Sequence, residues 1–254
     1  MKLSNDELMD IALNSAKDAR LVSRKYMLDP KVISNDKKDI KTLIDIEMNN
    51  VIISKLIQTD IPVLSEEGKK NKLNGLLWIV DPLDGTLNFS RNFNCYSISI
   101  SLWKGDLPLI GLVYDISSEK IYQNSNFLRA TLNNKTIGVS SVSQIEDAIL
   151  ATGFSSGTSY ETNNLLSLVT KVQSFKKLRA LGSASIMLAH VASGIFDVYY
   201  EKDIYLWDVA AGLSIVKASG GKYFIRKTNN NFKYEVLASN SFLFEDCYNL
   251  LIKE

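Results

Sequence analysis

Apolar positions recur at helical spacing in two stretches near the start of the chain. Segment 4–7 reads Ser-Asn-Asp-Glu, the spacing of a helix capping box, and apolar residues then recur every three or four positions to about Tyr26. A second stretch of this kind runs from about Ile40 to Ile57, after a polar loop at 35–39. The pattern predicts two helices that pack one face against a core.

The hydrophobic pattern then becomes typical of strands. Two short apolar runs, at 61–64 and 76–80, are bounded by polar loops, as buried strands are. From Cys95 to about Thr131, four strand-like segments are separated by turn residues. Their spacing predicts an antiparallel meander.

The second half of the chain alternates strand and helix. Strand-like segments at 148–152, 176–180 and 196–201 are interleaved with helical segments at 163–172, 183–192 and 206–219. This order predicts an α/β half in which helices cross over between strands. The whole chain is therefore predicted to be a layered α/β (α+β) protein, with an N-terminal half at 1–140 and a C-terminal half at 141–254.

Composition narrows the class of protein. The 254 residues include 29 Lys plus Arg and 28 Asp plus Glu, so net charge gives no reason to expect binding to nucleic acid or to an anionic membrane. No run approaches the ~20 apolar residues that cross a bilayer, and acidic residues stand where a signal peptide needs an apolar core. Two cysteines, Cys95 and Cys247, are too few for a disulfide framework. We expect a cytoplasmic protein.

A constrained acidic segment follows the second apolar run. Residues 78–89 read Trp-Ile-Val-Asp-Pro-Leu-Asp-Gly-Thr-Leu-Asn-Phe, so that Asp81 ends a predicted strand and Asp84 follows in a tight turn. Pro82 restricts Asp81, while Gly85 allows conformations closed to other residues. Two such carboxylates repel each other unless a cation lies between them, and oxygen ligands suit Mg²⁺ or Mn²⁺. The alternative is an ordinary surface turn.

Further acids stand at the ends of other predicted elements. Glu66 and Glu67 follow the first apolar run, Glu201 ends a strand-like segment, and Asp208 lies in the first turn of an apolar helix. Each also has an ordinary explanation, either as a solvated loop acid or as a residue that complements the helix dipole. Their combination is what favours a common site.

These segments together resemble the inositol monophosphatase family. The motif at 81–89, Asp-Pro-Leu-Asp-Gly-Thr-Leu-Asn-Phe, carries most of the resemblance. The paired acids at 66–67 precede it, and Leu-Gly-Ser-Ala-Ser at 181–185, Tyr-Glu at 200–201 and Trp-Asp-Val-Ala at 207–210 follow in the family's order. The resemblance covers nearly the whole chain. It implies an αβαβα sandwich of the inositol monophosphatase and fructose-1,6-bisphosphatase type, and a phosphatase that hydrolyses a small phosphate monoester.

The resemblance also implies a metal site. Two or three Mg²⁺ ions, or Mn²⁺ in their place, would be held by four carboxylates and one backbone carbonyl, those of Glu66, Asp81, Leu83, Asp84 and Asp208. Glu66 and Thr86 would position and deprotonate the attacking water, with Asp84 as a further catalytic residue, and Glu67 would hold a second water.

Substrate contacts are implied at two places. Gly85 and Thr86 are expected at a helix N-terminus, where free N–H groups bind phosphate. The alcohol part of the substrate is expected to contact Gly182, Ser183, Ala184 and Glu201. Inositol phosphate fits the motif best. Related enzymes act on fructose 1,6-bisphosphate, histidinol phosphate or 3′-phosphoadenosine nucleotides.

Other expectations rest on the resemblance alone. It implies a homodimer and sensitivity to lithium. The family often has a lysine in the loop after the first helix; here Lys37 and Lys38 precede Asp39 without a clear match, and neither is assigned a role.

Rival chemistries are less consistent with the residues. A cysteine phosphatase would need Arg where Ser101 and Lys253 stand, and an aspartyl-phosphate enzyme would need Asp-x-Asp. Residues 153–157, Gly-Phe-Ser-Ser-Gly, match the nucleophile elbow of a serine hydrolase around Ser155. Its triad would require Glu161 and His190, and that histidine lies in a predicted packed helix. A non-catalytic binding protein that keeps the fold is the third alternative, although all the expected ligands are present.

Overall fold

The computed structural model describes residues 3–26, 32–36, 39–68, 75–125, 129–154, 161–228 and 232–253. The helices in these ranges are α1 (Asn5–Ser23), α2 (Leu43–Leu56), α3 (Thr86–Ser90), α4 (Thr162–Val172), α5 (Ala184–Ala192), α6 (Leu206–Ala218) and α7 (Phe244–Leu251). The strands are β1 (Val32–Asp36), β2 (Asp39–Thr42), β3 (Val63–Ser65), β4 (Leu76–Asp84), β5 (Ser97–Lys104), β6 (Leu107–Asp115), β7 (Lys120–Asn124), β8 (Ala130–Leu132), β9 (Lys135–Ile137), β10 (Ile149–Thr152), β11 (Lys177–Arg179), β12 (Val198–Tyr205), β13 (Lys222–Lys227) and β14 (Lys233–Ser239).

Two large sheets organise the chain. The first contains seven strands in the order β3-β4-β5-β6-β7-β8-β9, and it is antiparallel except for the parallel pair β3 and β4. The second has the order β11-β10-β12-β14-β13, with β10 parallel to β11 and β12, and β14 antiparallel to both of its neighbours. The predicted meander and the predicted parallel crossovers are both confirmed.

Helices and sheets alternate in five layers. α1 and α2 cover one face of the seven-stranded sheet, α5 and α6 lie between the two sheets, and α7 packs on the far face of the five-stranded sheet. Three separate apolar clusters fill the spaces between layers. The αβαβα sandwich predicted from the sequence is confirmed.

Burial explains the composition of the helices. α1 begins with the predicted capping box between Ser4 and Glu7, and it buries Leu8, Ala12 and Ala16 on one face. α6 is apolar on nearly all sides because it is enclosed by both sheets. None of the helices in the described ranges has the length and apolar character needed to cross a membrane.

Two predicted boundaries were wrong. The second helix begins at Leu43, not near Ile40, because 39–42 is extended and pairs with β1 as an antiparallel hairpin. β4 continues to Asp84 instead of ending at Asp81, and its pairing with β5 shifts between these two residues, where Pro82 has no N–H to contribute. The pattern also did not predict β13, β14 and α7. Lys37 and Lys38 lie outside the described residues.

The predicted division near residue 140 lies between the last strand of the first sheet and the first strand of the second. α5 and α6 belong to the C-terminal segment, yet they contact strands of both sheets and contribute to the central apolar cluster. The two halves therefore share a core. The exact boundary stays a prediction.

The close packing of α5 on α6 gives a test of the middle layer. A Cβ atom built at Gly212 of α6 would lie 2.4 Å from Leu188 Cβ of α5. Although Ala is preferred to Gly in helices by about 1 kcal/mol, we expect Gly212→Ala to lower the free energy of unfolding by about 1–3 kcal/mol, because the two helices must separate. Urea unfolding followed by circular dichroism would measure the change.

Gly138→Ala is the matched control. Its added methyl would meet nothing nearer than the Ser219 carbonyl oxygen at 3.7 Å, so that variant should unfold like the wild type. Equal free energies of unfolding for Gly212→Ala and Gly138→Ala would mean that α5 and α6 leave room for a methyl group at position 212.

Candidate active site

Acids from neighbouring strands meet at one end of the seven-stranded sheet. β3 and β4 are parallel, and Ser65 pairs with Val80. Glu66 and Asp81 are therefore the next residues on adjacent strands, and the Glu66 N–H donates to the Val80 carbonyl oxygen at 3.1 Å. The parallel register brings together two acids that are 15 positions apart in the sequence.

Asp81 is the most deeply buried member of this group. Its exposed fraction is 2%, and burial raises its pKa well above the usual value, with further increases from the negative charges of Glu66, Asp84 and Asp208. Asp208, in the first turn of α6, has a pKa raised in the same way by burial and by Glu66, Asp84 and Glu201. These acids therefore form one interacting set, which we call the acid cluster: Glu66, Asp81, Asp84 and Asp208.

Asp84 joins the acid cluster to α5. Its Oδ2 accepts hydrogen bonds from Ser183 Oγ at 2.6 Å and from the Ser185 N–H at 2.8 Å, and the Ser185 hydroxyl also donates to it. Burial raises the pKa of Asp84, and these hydrogen bonds lower it. Ser183, expected to contact substrate, thus lies against a carboxylate of the cluster.

The chemistry of the acid cluster fits a hard divalent cation. Its donors are oxygens, of which those of Asp81 and Asp84 are buried and those of Glu66 and Asp208 half-buried, and their mutual repulsion is relieved either by protons or by a cation. Among the described residues, no three Asp, Glu, His or Cys side chains are already arranged as a ready-made metal site. Asp81 Oδ1 instead accepts from the Leu83 N–H at 2.9 Å, as Asp84 accepts from serines. Binding an ion would thus require these side chains to reorient.

Thr86 and Asp45 form a hydrogen-bonded pair beside the acid cluster. The Thr86 hydroxyl lies 2.9 Å from both Asp45 Oδ1 and the Leu83 carbonyl oxygen, and it can donate to either. Asp45 is buried and also accepts hydrogen bonds from the N–H and hydroxyl of Thr42. Burial raises the pKa of Asp45, and its bonds from Thr42 and Thr86 lower it. Sequence analysis did not identify Asp45 as a site residue.

A tight backbone contact supports the turn at Gly85. α3 begins at Thr86, and Gly85 precedes it with a φ of 91°, a conformation that favours glycine. A Cβ atom there would lie 2.8 Å from the Cys95 carbonyl oxygen and 3.3 Å from that of Gly182. Asn88 Nδ2 donates to the carbonyl oxygens of Cys95 and Leu181 at 2.8 and 2.7 Å. The predicted phosphate-binding turn and the 182–184 segment are therefore neighbours.

Glu201 lies on β12, and its charge is among those that raise the pKa of Asp208. It is 4% exposed and accepts a hydrogen bond from Tyr199 Oη at 2.9 Å. A Cβ atom at Gly153 would lie 2.8 Å from a Glu201 carboxylate oxygen, so the absence of a side chain there gives this carboxylate its space. Glu201 also lines a cavity of about 360 Å³ between β10, α4 and β14. None of the described residues that line this cavity belongs to the acid cluster. We therefore place the candidate active site at the acid cluster and not in this cavity.

Glu67 has a different environment from Glu66. Its side chain is 8% exposed and forms an ion pair with Lys41 of β2, whose side chain is 40% exposed. The hydrogen bond to Glu67 raises the pKa of Lys41. The expectation that Glu67 holds a second water remains a prediction.

The rival nucleophiles have little support in the structure. Ser155, Ser156 and Gly157 lie outside the described residues. The His190 ring packs edge-on to Phe196 at a centroid distance of 5.0 Å, and burial lowers its pKa. Burial raises the pKa of Cys95 to about 12, which leaves little thiolate near neutral pH.

Comparison with known proteins decides the family. The sequence profile of the inositol monophosphatase family matches residues 4–248. The chain belongs to this family. It is accordingly a phosphoric monoester hydrolase, and the inositol monophosphatase family uses divalent metal ions.

Individual proteins resemble the chain over most of its length. It is 33% identical to the Nus factor SuhB of Xylella fastidiosa over 75% of this chain and 70% of that protein. It is 35% identical to the inositol-1-monophosphatase of Synechocystis over 67% of this chain and 61% of that protein. The structure of inositol monophosphatase from Anabaena superposes with a TM-score of 0.83 at 28% identity, covering 96% of this chain and 94% of that chain.

The repulsion within the acid cluster gives a test that needs no metal. Asp81 has a folded-state pKa above its unfolded value, so its contribution to stability is complete below about pH 4 and is lost as the pH rises toward the folded pKa. Asn does not titrate and can still accept the Leu83 N–H. In EDTA we expect Asp81→Asn to exceed the wild type by about 1 kcal/mol or more in free energy of unfolding at pH 8, with the gap narrowing toward pH 4.

Urea titrations between pH 4 and pH 8 would measure this difference. The control is Asp10→Asn, which removes a carboxylate from an exposed position on α1 and should not reproduce the gain in stability expected for Asp81→Asn. A gap for Asp81→Asn that is the same at every pH would contradict the raised pKa of Asp81 that burial and the neighbouring carboxylates produce.

Proposed function

We propose that this chain is a Mg²⁺-dependent phosphatase that hydrolyses inositol monophosphate to inositol and phosphate. The observation that carries the proposal is the convergence of buried, mutually repelling carboxylates beside Thr86 in a chain of the inositol monophosphatase family. Such an arrangement lowers the stability of the folded protein, so its presence indicates that these charges have a function. A role restricted to binding would not need it.

The proposed ligands are those implied by the family motif. The carboxylates of the acid cluster would hold the ions together with the carbonyl oxygen of Leu83. Divalent ions, when bound, polarise phosphoryl oxygens, lower the pKa of water and neutralise charge on the leaving oxygen. Every one of these donors comes from a segment whose backbone is part of a sheet or helix, or follows one directly.

Activation of the attacking water is assigned to Thr86, Asp45 and Glu66. When the Thr86 hydroxyl donates to Asp45, its oxygen lone pairs are left to accept a proton from water. Asp45 can then take the hydroxyl proton of Thr86, because its pKa is raised by burial. Glu66 would orient the same water from the end of the adjacent strand, β3.

Binding of the substrate is assigned to the two segments joined by Asn88. The N–H groups of Gly85 and Thr86 would bind phosphate, and the 182–184 segment would lie beside the alcohol. Glu201 would accept hydrogen bonds from ring hydroxyls, with Tyr199 holding one of its oxygens. A carboxylate acceptor favours a leaving group that carries hydroxyl donors over one that carries no hydrogen-bond donor.

The catalytic assignment is tested by Asp84→Asn. We expect kcat/KM for inositol 1-phosphate with Mg²⁺ to fall on the order of a hundredfold to a thousandfold or more, because a charge that supports the transition state is lost. The thermal unfolding curve should remain cooperative, since Asn can still accept hydrogen bonds from serine.

Asp197→Asn is the matched control for Asp84→Asn. Asp197 is a buried aspartate outside the site, where it accepts hydrogen bonds from Ser140 Oγ and the Ile149 N–H. That variant is expected to lose stability but to retain turnover within a few fold. Full activity in Asp84→Asn would overturn the assignment.

A substrate panel tests the finer proposal. We expect kcat/KM for inositol 1-phosphate to exceed that for fructose 1,6-bisphosphate, histidinol phosphate and 3′-phosphoadenosine nucleotides by about tenfold or more, roughly the contribution of one charged hydrogen bond. Glu201→Gln should reduce this preference while affecting the poorer substrates less. A higher value for any of the other three would reassign the substrate but leave the phosphatase chemistry in place.

A further inference from the structure

The side chain of Asn88 connects segments of the site that are far apart in the sequence. Its Nδ2 group donates one hydrogen bond to the carbonyl oxygen of Cys95 at 2.8 Å and another to that of Leu181 at 2.7 Å. A primary amide has two N–H donors, so both are used in these bonds. Asn88 therefore attaches α3 to the segment that precedes β5 and to the segment that precedes α5.

The contact between α3 and the 181–184 segment is close. A Cβ atom built at Gly182 would lie 3.0 Å from Asn88 Nδ2, and Gly182 has a φ of 75°, in the region that favours glycine. A Cβ atom at Gly85 would lie 3.3 Å from the Gly182 carbonyl oxygen. Because neither glycine has a side chain, the two backbones approach directly, and the hydrogen bonds of Asn88 hold them together.

Asp84 forms another link between the same parts of the chain. It accepts hydrogen bonds from Ser183 and Ser185, but it is also one of the proposed metal ligands. A carboxylate oxygen that binds an ion has fewer lone pairs left for the serine donors. Asn88 belongs neither to the acid cluster nor to the proposed ligands, so its two hydrogen bonds do not compete with an ion.

We propose that Asn88 is a positioning residue, which keeps the phosphate-binding turn at 85–86 and the alcohol-binding segment at 182–184 at the separation that lets one substrate molecule bind both. The inference rests on the proposed phosphatase function, which assigns these two segments to the substrate. Two partial sites that bind parts of one molecule gain affinity from their correct spacing, and a displacement of about 1 Å reduces rates by as much as about a hundredfold. Asn88 acts through these segments and not on the reacting atoms.

Removal of both donors in Asn88→Ala tests this inference. With Mg²⁺ present, kcat/KM for inositol 1-phosphate should fall about tenfold to a hundredfold, because the two segments are no longer held at matching positions. Inorganic phosphate has no alcohol part and does not depend on that spacing, so its inhibition constant should change by less than about threefold. A general loss of structure would weaken substrate and phosphate in the same proportion.

Asn240→Ala is the matched control. Asn240 Nδ2 also donates two hydrogen bonds to a distant part of the chain, to Ser140 Oγ at 2.8 Å and to the Val142 carbonyl oxygen at 2.9 Å. This variant should unfold at a lower urea concentration than the wild type and yet keep both kinetic constants close to the wild-type values. Asn88→Leu removes the same donors as Asn88→Ala with a side chain of similar size to Asn, and it takes the place of Asn88→Ala if urea titration shows that variant to be unfolded.

The outcomes separate this inference from the proposed function. If the wild type hydrolyses none of the esters in the substrate panel, the phosphatase proposal fails and the inference fails with it; if it prefers another ester, the comparison is made with that ester. If the folded Asn88 variants keep the wild-type kcat/KM, the phosphatase proposal stands and the positioning role is wrong. A phosphate inhibition constant that rises by the same factor as kcat/KM falls would place the effect of Asn88 on the phosphate turn alone and would also overturn the inference.

Discussion

Repulsion among carboxylates withdrawn from water is the constraint on which this structure depends. Asp81, Asp84 and Asp208 are negative groups brought together where a strand end of one sheet meets a helix of the middle layer. Left to themselves they would move apart or bind protons. Three apolar clusters and two hydrogen-bonded sheets hold their backbones in place. Packing and sheet hydrogen bonds stabilise the folded protein, and part of that stability offsets the repulsion between the carboxylates.

The polar partners of these acids come from distant parts of the chain. Asp84 is held by the serines that open α5, and Thr86 is held by Asp45 from the start of α2. Asn88 joins the backbone of 95 to that of 181. Each contact links layers that the apolar clusters bring near each other but do not align. The hydrogen bonds thus set the positions of the chemical groups within a scaffold built by burial.

The features that the sequence predicted correctly are those that depend on local hydrophobic pattern or on the long motif at 81–89. Alternation of apolar residues predicted the meander and the crossover helices, and the segment at 81–89 indicated the family before any geometry was known. Asp45 was not identified because its local signal, Thr42 three residues earlier, is that of a helix cap. Its second partner, Thr86, lies 41 positions away. The ion pair of Lys41 with Glu67 was missed for a related reason, since it joins β2 to a residue that follows β3.

The helical layer between the sheets has a consequence for how this protein loses activity. α6 carries Asp208 at its first turn and is enclosed by apolar neighbours from both sheets, and its Gly212 allows α5 to approach closely. A slip of this layer by an ångström would change the distances between the carboxylates while leaving strands and helices intact. Warming or ageing should therefore produce molecules that look folded by spectroscopy yet no longer turn over substrate. Loss of activity would then reflect a displacement of the helical layer relative to the two sheets, and not unfolding of the protein.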